Sequence, residues 1–120
     1  MELGRIEEQM VRTIYSDASD FAWGTTNGLW GQWNEEQANW PIVLKEMEAI
    51  RRAINKEKNG SEVKLMTDNM VCFWTLRRGR AFYWELNLIM RRITGDLRKR
   101  KIRLSVEWVP SLENEADWIS

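Results

Sequence analysis

Two short runs with the pattern of β-strands each end on an aspartate, and this repetition constrains the fold most strongly. In residues 11–17, every second side chain up to Asp17 shares one face, while Ile14 and Ser16 lie on the other. Residues 62–68 form a similar run that ends on Asp68. Sites in open sheets gather at the carboxyl ends of adjacent parallel strands. If these two strands are neighbours, the two carboxylates lie side by side.

Asp68 has a second interpretation that is purely structural. Aspartate and asparagine are common helix N-caps, and a helix is predicted to begin immediately after Asn69. Capping a helix and contributing to a site are compatible roles, so both interpretations stay open for Asp68.

Two aromatic runs predict antiparallel partners for the first strand. Residues 21–26 and 29–33 have strand character. Asn27-Gly28 lies between them and is the strongest two-residue hairpin signal, because both residues tolerate positive φ. We therefore expect the chain to open with a three-stranded antiparallel meander, followed by a polar loop at residues 34–39.

The first long helix is predicted to begin at Pro41, which suits the first turn of a helix. Glu46 lies on this helix with small or apolar residues along the same side. A carboxylate in such a place is costly unless it is paired or bound to a metal. The alternative is a boundary glutamate that reaches out to solvent. Glu48 points elsewhere and is interpreted as ordinary solvated charge.

Two more helices and a final strand follow. The first helix is predicted over residues 70–78, ending at Gly79, with Val71 and Trp74 facing inward. The second is predicted over residues 84–98. Its apolar stripe has helical spacing and consists of Leu86, Ile89, Met90, Ile93 and Leu97.

The last strand is predicted over residues 102–108, where apolar and polar residues alternate until Pro110. A short helix is expected at residues 113–118. Residues 1–10 are polar and weakly patterned, so we interpret them as a lead-in, or the trimmed end of a preceding segment, to one domain over residues 11–120.

Composition limits the chemistry. Histidine is absent, which excludes Ser-His-Asp catalysis and imidazole general bases. The single cysteine, Cys72, lies among apolar residues and is more typical of a core residue than of a nucleophile. Any chemistry must therefore rest on carboxylates, which favour Mg²⁺ or Mn²⁺. No apolar run approaches membrane-spanning length and no signal peptide is visible, so we expect an intracellular protein without a membrane partner.

Positive charge is concentrated in one part of the chain. Lys plus Arg equals Asp plus Glu at 18 each, so net charge does not indicate a nucleic-acid partner. However, half of the positive residues lie between Arg77 and Lys101, interleaved with aromatic residues such as Trp84. A run of charged residues usually forms a solvated face. Here the density of positive charge also favours a surface that binds the phosphate backbone of a nucleic acid.

Several segments together resemble the ribonuclease H domains of reverse-transcribing elements, especially retrotransposons and pararetroviruses. The matching segments are IYSDASDFAWG at 14–24, LKEMEAIRRAI at 44–54, LMTDN at 65–69 and VEWVPSLENEADWIS at 106–120. The stretch RRGRAFYWELNLIMRRI at 77–93 is also similar to the connecting region and helix of these domains. The resemblance covers nearly the whole chain after residue 10.

The resemblance implies an α/β fold of the ribonuclease H-like type: a five-stranded mixed sheet, with a three-stranded antiparallel meander plus two parallel strands, flanked by helices. It makes the first and fourth strands neighbours. It implies two Mg²⁺ ions, with Mn²⁺ as a possible substitute, and hydrolysis of the RNA strand of an RNA–DNA hybrid beside a reverse transcriptase domain. The implied catalytic and metal-binding acids are Asp17, Glu46, Asp68 and Asp117. The implied nucleic-acid contacts are Ser19, Asn69, Arg77, Arg78, Arg80, Trp84 and Arg91.

The implied metal chemistry assigns distinct roles to the four acids. Asp17 is expected to bridge the two ions, Glu46 and Asp68 to complete one site, and Asp117 the other. The chain departs from the family in two respects. It ends three residues after Asp117, so the terminal helix that would steady this acid is expected to be very short. Many members carry a histidine just after the last strand; here Trp108 occupies that position and Ser111 replaces a common glycine.

Two other functions remain open at this point. One is a catalytically weak or inactive ribonuclease H-like module that binds nucleic acid or a polymerase domain. The missing histidine favours it weakly, whereas four retained acids argue against it, because an unused buried carboxylate cluster costs stability. The other is a nuclease or strand-transfer enzyme of the same broad fold that acts on DNA.

Overall fold

A single mixed sheet of five strands forms the centre of the computed structural model, which describes residues 11–110. The strands are β1 (Val11–Ala18), β2 (Ala22–Thr25), β3 (Trp30–Gln32), β4 (Glu62–Thr67) and β5 (Arg103–Trp108). Their spatial order is β3-β2-β1-β4-β5. The first three strands pair antiparallel, whereas β4 runs parallel to both β1 and β5. The predicted meander, parallel strands and overall fold class are therefore confirmed.

Four helices accompany the sheet within residues 11–110. They are α1 (Glu35–Ala38), α2 (Ile42–Lys56), α3 (Met70–Arg78) and α4 (Trp84–Arg100). None of these helices is long and apolar enough to cross a membrane. The predicted lead-in at residues 1–10 and the predicted helix at 113–118 lie outside the described residues.

The meander is closed by the expected hairpin and tied to α2. Gly28 has φ of 96°, a left-handed conformation that favours glycine. The Asn27 side-chain amide donates hydrogen bonds to the Ala53 carbonyl and to the Glu57 carboxylate, both at 3.0 Å. The turn residue thus joins the hairpin to the last turns of α2.

The hydrophobic core lies between the sheet and helices α2 and α4. Ile14 and Leu65 face each other on adjacent parallel strands, and Met47 and Ile50 of α2 are fully buried above them. The predicted apolar stripe of α4 is confirmed, since its first four residues are buried and Leu97 packs at the edge. Burying this stripe is what holds α4 against the sheet.

The prediction of a polar loop at residues 34–39 is wrong, because part of it forms α1. The Asn34 side chain accepts a hydrogen bond from the Gln37 backbone N–H at 2.7 Å, and the Gln37 side chain accepts one in return from the Asn34 N–H. This capping box satisfies the exposed donors of the first turn. It therefore permits a helix of four residues with none of them buried.

The predicted inward face of α3 is also wrong. Val71 is 50% exposed and Trp74 is 46% exposed, whereas Cys72 and Thr75 are buried instead. Cys72 and Thr75 occupy the side of this short helix that faces the protein, and Leu76 packs against the core beside them. Cys72 is confirmed as a core residue, and burial raises the pKa of its thiol well above the usual value.

Candidate metal centre

The carboxyl ends of β1 and β4 bring the two predicted aspartates together. Asp17 is the penultimate residue of β1, and Asp68 directly follows the last residue of β4. These strands are parallel neighbours, with Tyr15 beside Met66 in register. Carboxylate oxygens of Asp17, Glu46 and Asp68 all lie within 4.8 Å of one another. The structure therefore assembles three of the four predicted acids into one cluster.

Glu46 approaches this cluster from α2 and is the most buried of the three acids, at 5% exposure. The Ala18 backbone N–H donates a hydrogen bond to its carboxylate, whereas its Oε2 atom is buried and has no hydrogen-bond partner among the described residues. Burial, followed by the nearby charges of Asp17 and Asp68, raises the pKa of Glu46 from 4.5 to about 9. The boundary-glutamate alternative is therefore wrong.

The chemistry of this cluster fits a divalent cation. Its donors are all carboxylate oxygens, which Mg²⁺ and Mn²⁺ prefer. The unpartnered Oε2 atom of Glu46 supplies a buried acceptor that a cation would satisfy. Asp17 and Asp68 are only half-buried, so the cluster opens to solvent and to a substrate. Asp117, the fourth predicted ligand, lies outside the described residues.

Lys45 supports the cluster, and sequence reasoning missed it. Its side chain is buried, and its Nζ atom donates hydrogen bonds to the carbonyls of Asp20 and Ala38, both at 2.9 Å. Nζ also lies 3.8 Å from the Asp20 carboxylate. Lys45 therefore ties the turn after β1 and the end of α1 to the helix that carries Glu46. The sequence offers little signal for this role, because Lys45 shares its side of the helix with the charged residues Glu48 and Arg52.

The interpretation of Glu48 as solvated charge is wrong. Its carboxylate is buried and accepts hydrogen bonds from Arg51 and Arg52 at 2.7–2.9 Å. The Arg52 guanidinium in turn lies 4.9 Å from the centre of the Trp23 ring and 5.4 Å from that of Trp33. Burial alone would raise the pKa of Glu48, but the hydrogen bonds and charges of Arg51 and Arg52 outweigh it and lower this pKa, opposite to the shift at Glu46. The i+3 and i+4 arginines were the sequence signal for this pairing.

The surroundings of Asp68 separate its two interpretations. Asn69, not Asp68, caps α3, because its side chain accepts a hydrogen bond from the Cys72 N–H at 2.9 Å. The indole Nε1 of Trp108 donates to the Asp68 carbonyl at 3.2 Å. Trp108 therefore lies at the edge of the cluster, next to its third carboxylate.

The predicted nucleic-acid contacts fall into two groups. Ser19 and Asn69 flank the cluster, but their side chains accept hydrogen bonds from nearby backbone N–H groups. The other contacts are exposed side chains on or between α3 and α4, namely Arg77, Arg78, Arg80, Trp84 and Arg91. Their exposure is compatible with contact to a nucleic acid, which stays a prediction.

Comparisons with known proteins identify the fold. No protein-family model matches the chain, and no curated protein matches it. Among solved structures, ribonuclease H1 of the halophilic archaeon Halobacterium salinarum NRC-1 is similar with a TM-score of 0.56 and 19% identity. That alignment covers 91% of this chain and 93% of that one. The N-terminal ribonuclease H domain of rv2228c from Mycobacterium tuberculosis, solved as a fusion with maltose binding protein, has a TM-score of 0.64 and 13% identity. Here coverage is 91% of this chain and 95% of that one.

A third structure, LC11 ribonuclease H1 in complex with an RNA/DNA hybrid, has a TM-score of 0.55 and 16% identity, covering 89% of this chain and 91% of that one. Together with the strand order, these similarities define the chain as a protein with a ribonuclease H-like fold. At these identities the similarity concerns the fold, so the function must be argued from the site.

Proposed function

We propose that this protein is a metal-dependent endonuclease that hydrolyses the RNA strand of RNA–DNA hybrids. The observation that carries the proposal is the cluster of Asp17, Glu46 and Asp68, whose carboxylate oxygens lie within 4.8 Å of one another. The charged form of Glu46 is costly in this cluster, because burial and the nearby carboxylates raise its pKa to about 9. The cluster lies at the carboxyl ends of parallel strands, where sites of open sheets are found.

The proposed ligands are the three clustered acids together with Asp117. Two bound Mg²⁺ or Mn²⁺ ions would supply an activated water and neutralise charge on the phosphate and on the leaving oxygen. Asp17 is proposed as the shared ligand, with Glu46 and Asp68 on one side and Asp117 on the other. The raised pKa of Glu46 means that this side chain releases a proton when it becomes a ligand.

The remaining residues are proposed to hold the substrate. Arg77, Arg78, Arg80 and Arg91 would contact the phosphate backbone, and Trp84 would pack against the sugar–phosphate edge. Ser19 and Asn69 flank the carboxylates, where contact with a 2′-hydroxyl could distinguish RNA from DNA. The reverse transcriptase partner expected from the sequence stays a prediction that none of the comparisons supports.

A catalytically weak or inactive module is the second candidate, and Trp108 favours it. The residue stands where the resembled family often carries a histidine, and its Nε1 donates to the Asp68 carbonyl. An indole donates a hydrogen bond but cannot accept and release a proton as imidazole does. Proton transfer at this position would therefore be missing.

The test is hydrolysis of an RNA–DNA hybrid labelled on one strand, with Mg²⁺, with Mn²⁺ or with EDTA. We expect metal-dependent cutting of the RNA strand alone, and none of single-stranded RNA or duplex DNA. Asp17→Asn should abolish cutting while leaving the far-ultraviolet circular dichroism spectrum unchanged. Binding without cutting would favour the inactive module, and cutting by Asp17→Asn would refute the proposed site.

A further inference from the structure

A cleft between α3 and α4 is lined by exposed aromatic and apolar side chains. It has a volume of about 240 Å³, and its walls include Met70, Trp74, Phe82 and Tyr83. Phe82 is 98% exposed, more than any other large apolar residue of the described chain. Exposed aromatic side chains that are grouped around a cleft, rather than scattered singly, make it a candidate binding site.

Two arginines border this α3–α4 cleft. Arg78 and Arg80 are both exposed and line it, and none of its lining residues is acidic within residues 11–110. The Arg78 guanidinium lies 5.4 Å from the centre of the Trp74 ring, which is a cation–π contact. The cleft therefore combines flat aromatic rings with positive charge, and its charge suits an anionic ligand.

A cleft that combines aromatic rings with arginines suits unpaired nucleic acid better than a paired duplex. In a paired duplex the faces of the bases are stacked inside, so the protein meets mainly phosphates and sugars. An unpaired nucleotide instead offers a base face to aromatic side chains and a phosphate to arginines. Arginines and ring edges can serve a duplex, but the exposed ring faces of Phe82 and Trp74 gain most from stacking on an unpaired base.

One wall of the α3–α4 cleft begins close to the carboxylate cluster. Met70, which lines the cleft and begins α3, is two residues from Asp68 in the chain. A nucleic-acid strand engaged at the cluster would therefore be positioned to reach the cleft. We propose that the α3–α4 cleft binds one unpaired nucleotide, so that the protein prefers hybrids with a single-stranded extension over blunt hybrids. The nucleotide site rests on the proposed function, because it assumes that the paired part of the substrate binds at the carboxylate cluster.

The test measures binding without cleavage. Fluorescence anisotropy in EDTA would compare a labelled blunt RNA–DNA hybrid with the same hybrid extended at each end in turn by unpaired thymidines or uridines. Stacking of one base predicts that the preferred extension lowers Kd by at least about fivefold. Comparing thymidine with uridine extensions would show whether the DNA or the RNA strand supplies the nucleotide.

Variants of the cleft and a matched control locate the effect. Phe82→Ala and Trp74→Ala should each reduce the gain from the extension, and the double variant should bind extended and blunt hybrids equally. Trp30→Ala removes a tryptophan that is 76% exposed on β3, outside the cleft, and should keep the full gain. Phe82 is so exposed that its truncation leaves the fold intact.

Other outcomes would contradict either the nucleotide site or the proposed nuclease. Equal affinity for blunt and extended hybrids in the wild type would overturn it, as would a gain that survives the double variant. Self-association that Phe82→Ala abolishes, with no preference for extensions, would assign the surface to a second copy of the chain. Cleavage without any extension preference would refute the cleft alone, whereas extension preference without cleavage in Mg²⁺ would refute the nuclease alone.

Discussion

Glu46 and Glu48 show how one helix can hold two buried carboxylates in opposite electrostatic environments. They lie two residues apart on α2, yet burial beside Asp17 and Asp68 raises the pKa of Glu46, whereas hydrogen bonds from two arginines lower that of Glu48. Glu46 is thus a group that the fold destabilises in its charged form, and Glu48 is one that the fold stabilises. Site chemistry is typically associated with the first kind.

Stability without metal should fall as pH rises, because of Glu46. The folded pKa of about 9 exceeds the ordinary value of 4.5, so the folded state retains a proton that the unfolded state loses. The contribution is therefore fully present below pH 4.5 and is lost as pH rises to about 9. Glu46→Gln should remove this slope and raise the unfolding free energy at pH 8 by roughly 3 kcal/mol.

The measurement is urea unfolding in EDTA at several pH values for the wild type and Glu46→Gln. Glu107→Gln is the matched control, because Glu107 is exposed and lies 3.9 Å from Lys64 on the sheet surface. It should keep the wild-type slope. A Glu46→Gln profile that still falls with pH would show that another group is responsible.

Glu48→Gln should have the opposite effect on stability. Glutamine removes the negative charge and replaces one acceptor oxygen by an NH2 group, so Arg51 and Arg52 lose part of their hydrogen bonding and the guanidinium that packs on Trp23 is disturbed. The arginines keep partial access to solvent, so we expect a loss of about 2 kcal/mol in unfolding free energy at neutral pH. Because the pKa of Glu48 is lowered in the folded state, this difference should shrink in acid. An unchanged midpoint in urea at pH 7 would contradict the buried pairing.

At the scale of elements, α2 organises the site by packing against β1 and β2, next to the strand end that carries Asp17. It carries Glu46 to the strand ends, and Lys45 holds the β1–β2 turn and the end of α1 against the same helix turn. The lysine thus couples elements that are separate in the chain. Its ammonium is compatible with burial because two carbonyls accept its hydrogen bonds.

Lys45→Met should loosen these elements while leaving the rest of the fold in place. Methionine has similar length but leaves the carbonyls of Asp20 and Ala38 without the ammonium, which costs about 1–3 kcal/mol for a buried acceptor. Amide hydrogen exchange should accelerate in peptides covering residues 19–40 and remain unchanged in α4. Uniform acceleration across both regions would indicate global destabilisation rather than a local tie.

Sequence reasoning predicted the elements better than their surfaces. The strands, the Asn27-Gly28 hairpin and the stripe of α4 follow from local periodicity, which packing reinforces. The exposure of Trp74 on α3 could not be predicted, because it depends on what covers a helix at the edge of the sheet. Pairing of Glu48 with arginines was likewise overlooked because charge on a helix is more often solvated.

At the scale of the whole molecule, the candidate site emerges only from the parallel pairing of β1 and β4. The residues alone predicted two strands ending on Asp17 and Asp68, but their adjacency depended on the family resemblance, since strand order is a long-range property. Glu46 could be identified as costly from its apolar neighbours, but its approach to the aspartates needed the packing of α2. The fourth acid, Asp117, stays a prediction.

Charge distribution over the whole molecule leads to a final prediction about substrate binding. Because the formal net charge is zero, overall charge does not attract nucleic acid, and affinity must come from local arginines. Each phosphate contact releases condensed counterions, so removing one should lower the slope of log Kd against log salt concentration by about 0.7–0.9. Arg80→Gln should show this reduction with a blunt RNA–DNA hybrid in EDTA.

Arg103→Gln provides the matched control for that experiment. Arg103 is also an exposed arginine, but it lies at the beginning of β5, where its side chain pairs with that of Glu62 at 3.1 Å. Asp68 follows the end of the neighbouring parallel strand β4, so Arg103 lies at the opposite end of the sheet from the carboxylate cluster. Its removal should leave the salt slope unchanged. If both variants reduced the slope equally, the hybrid would be bound by diffuse charge over the surface. The proposed contact between Arg80 and the phosphate backbone requires that only Arg80→Gln does so.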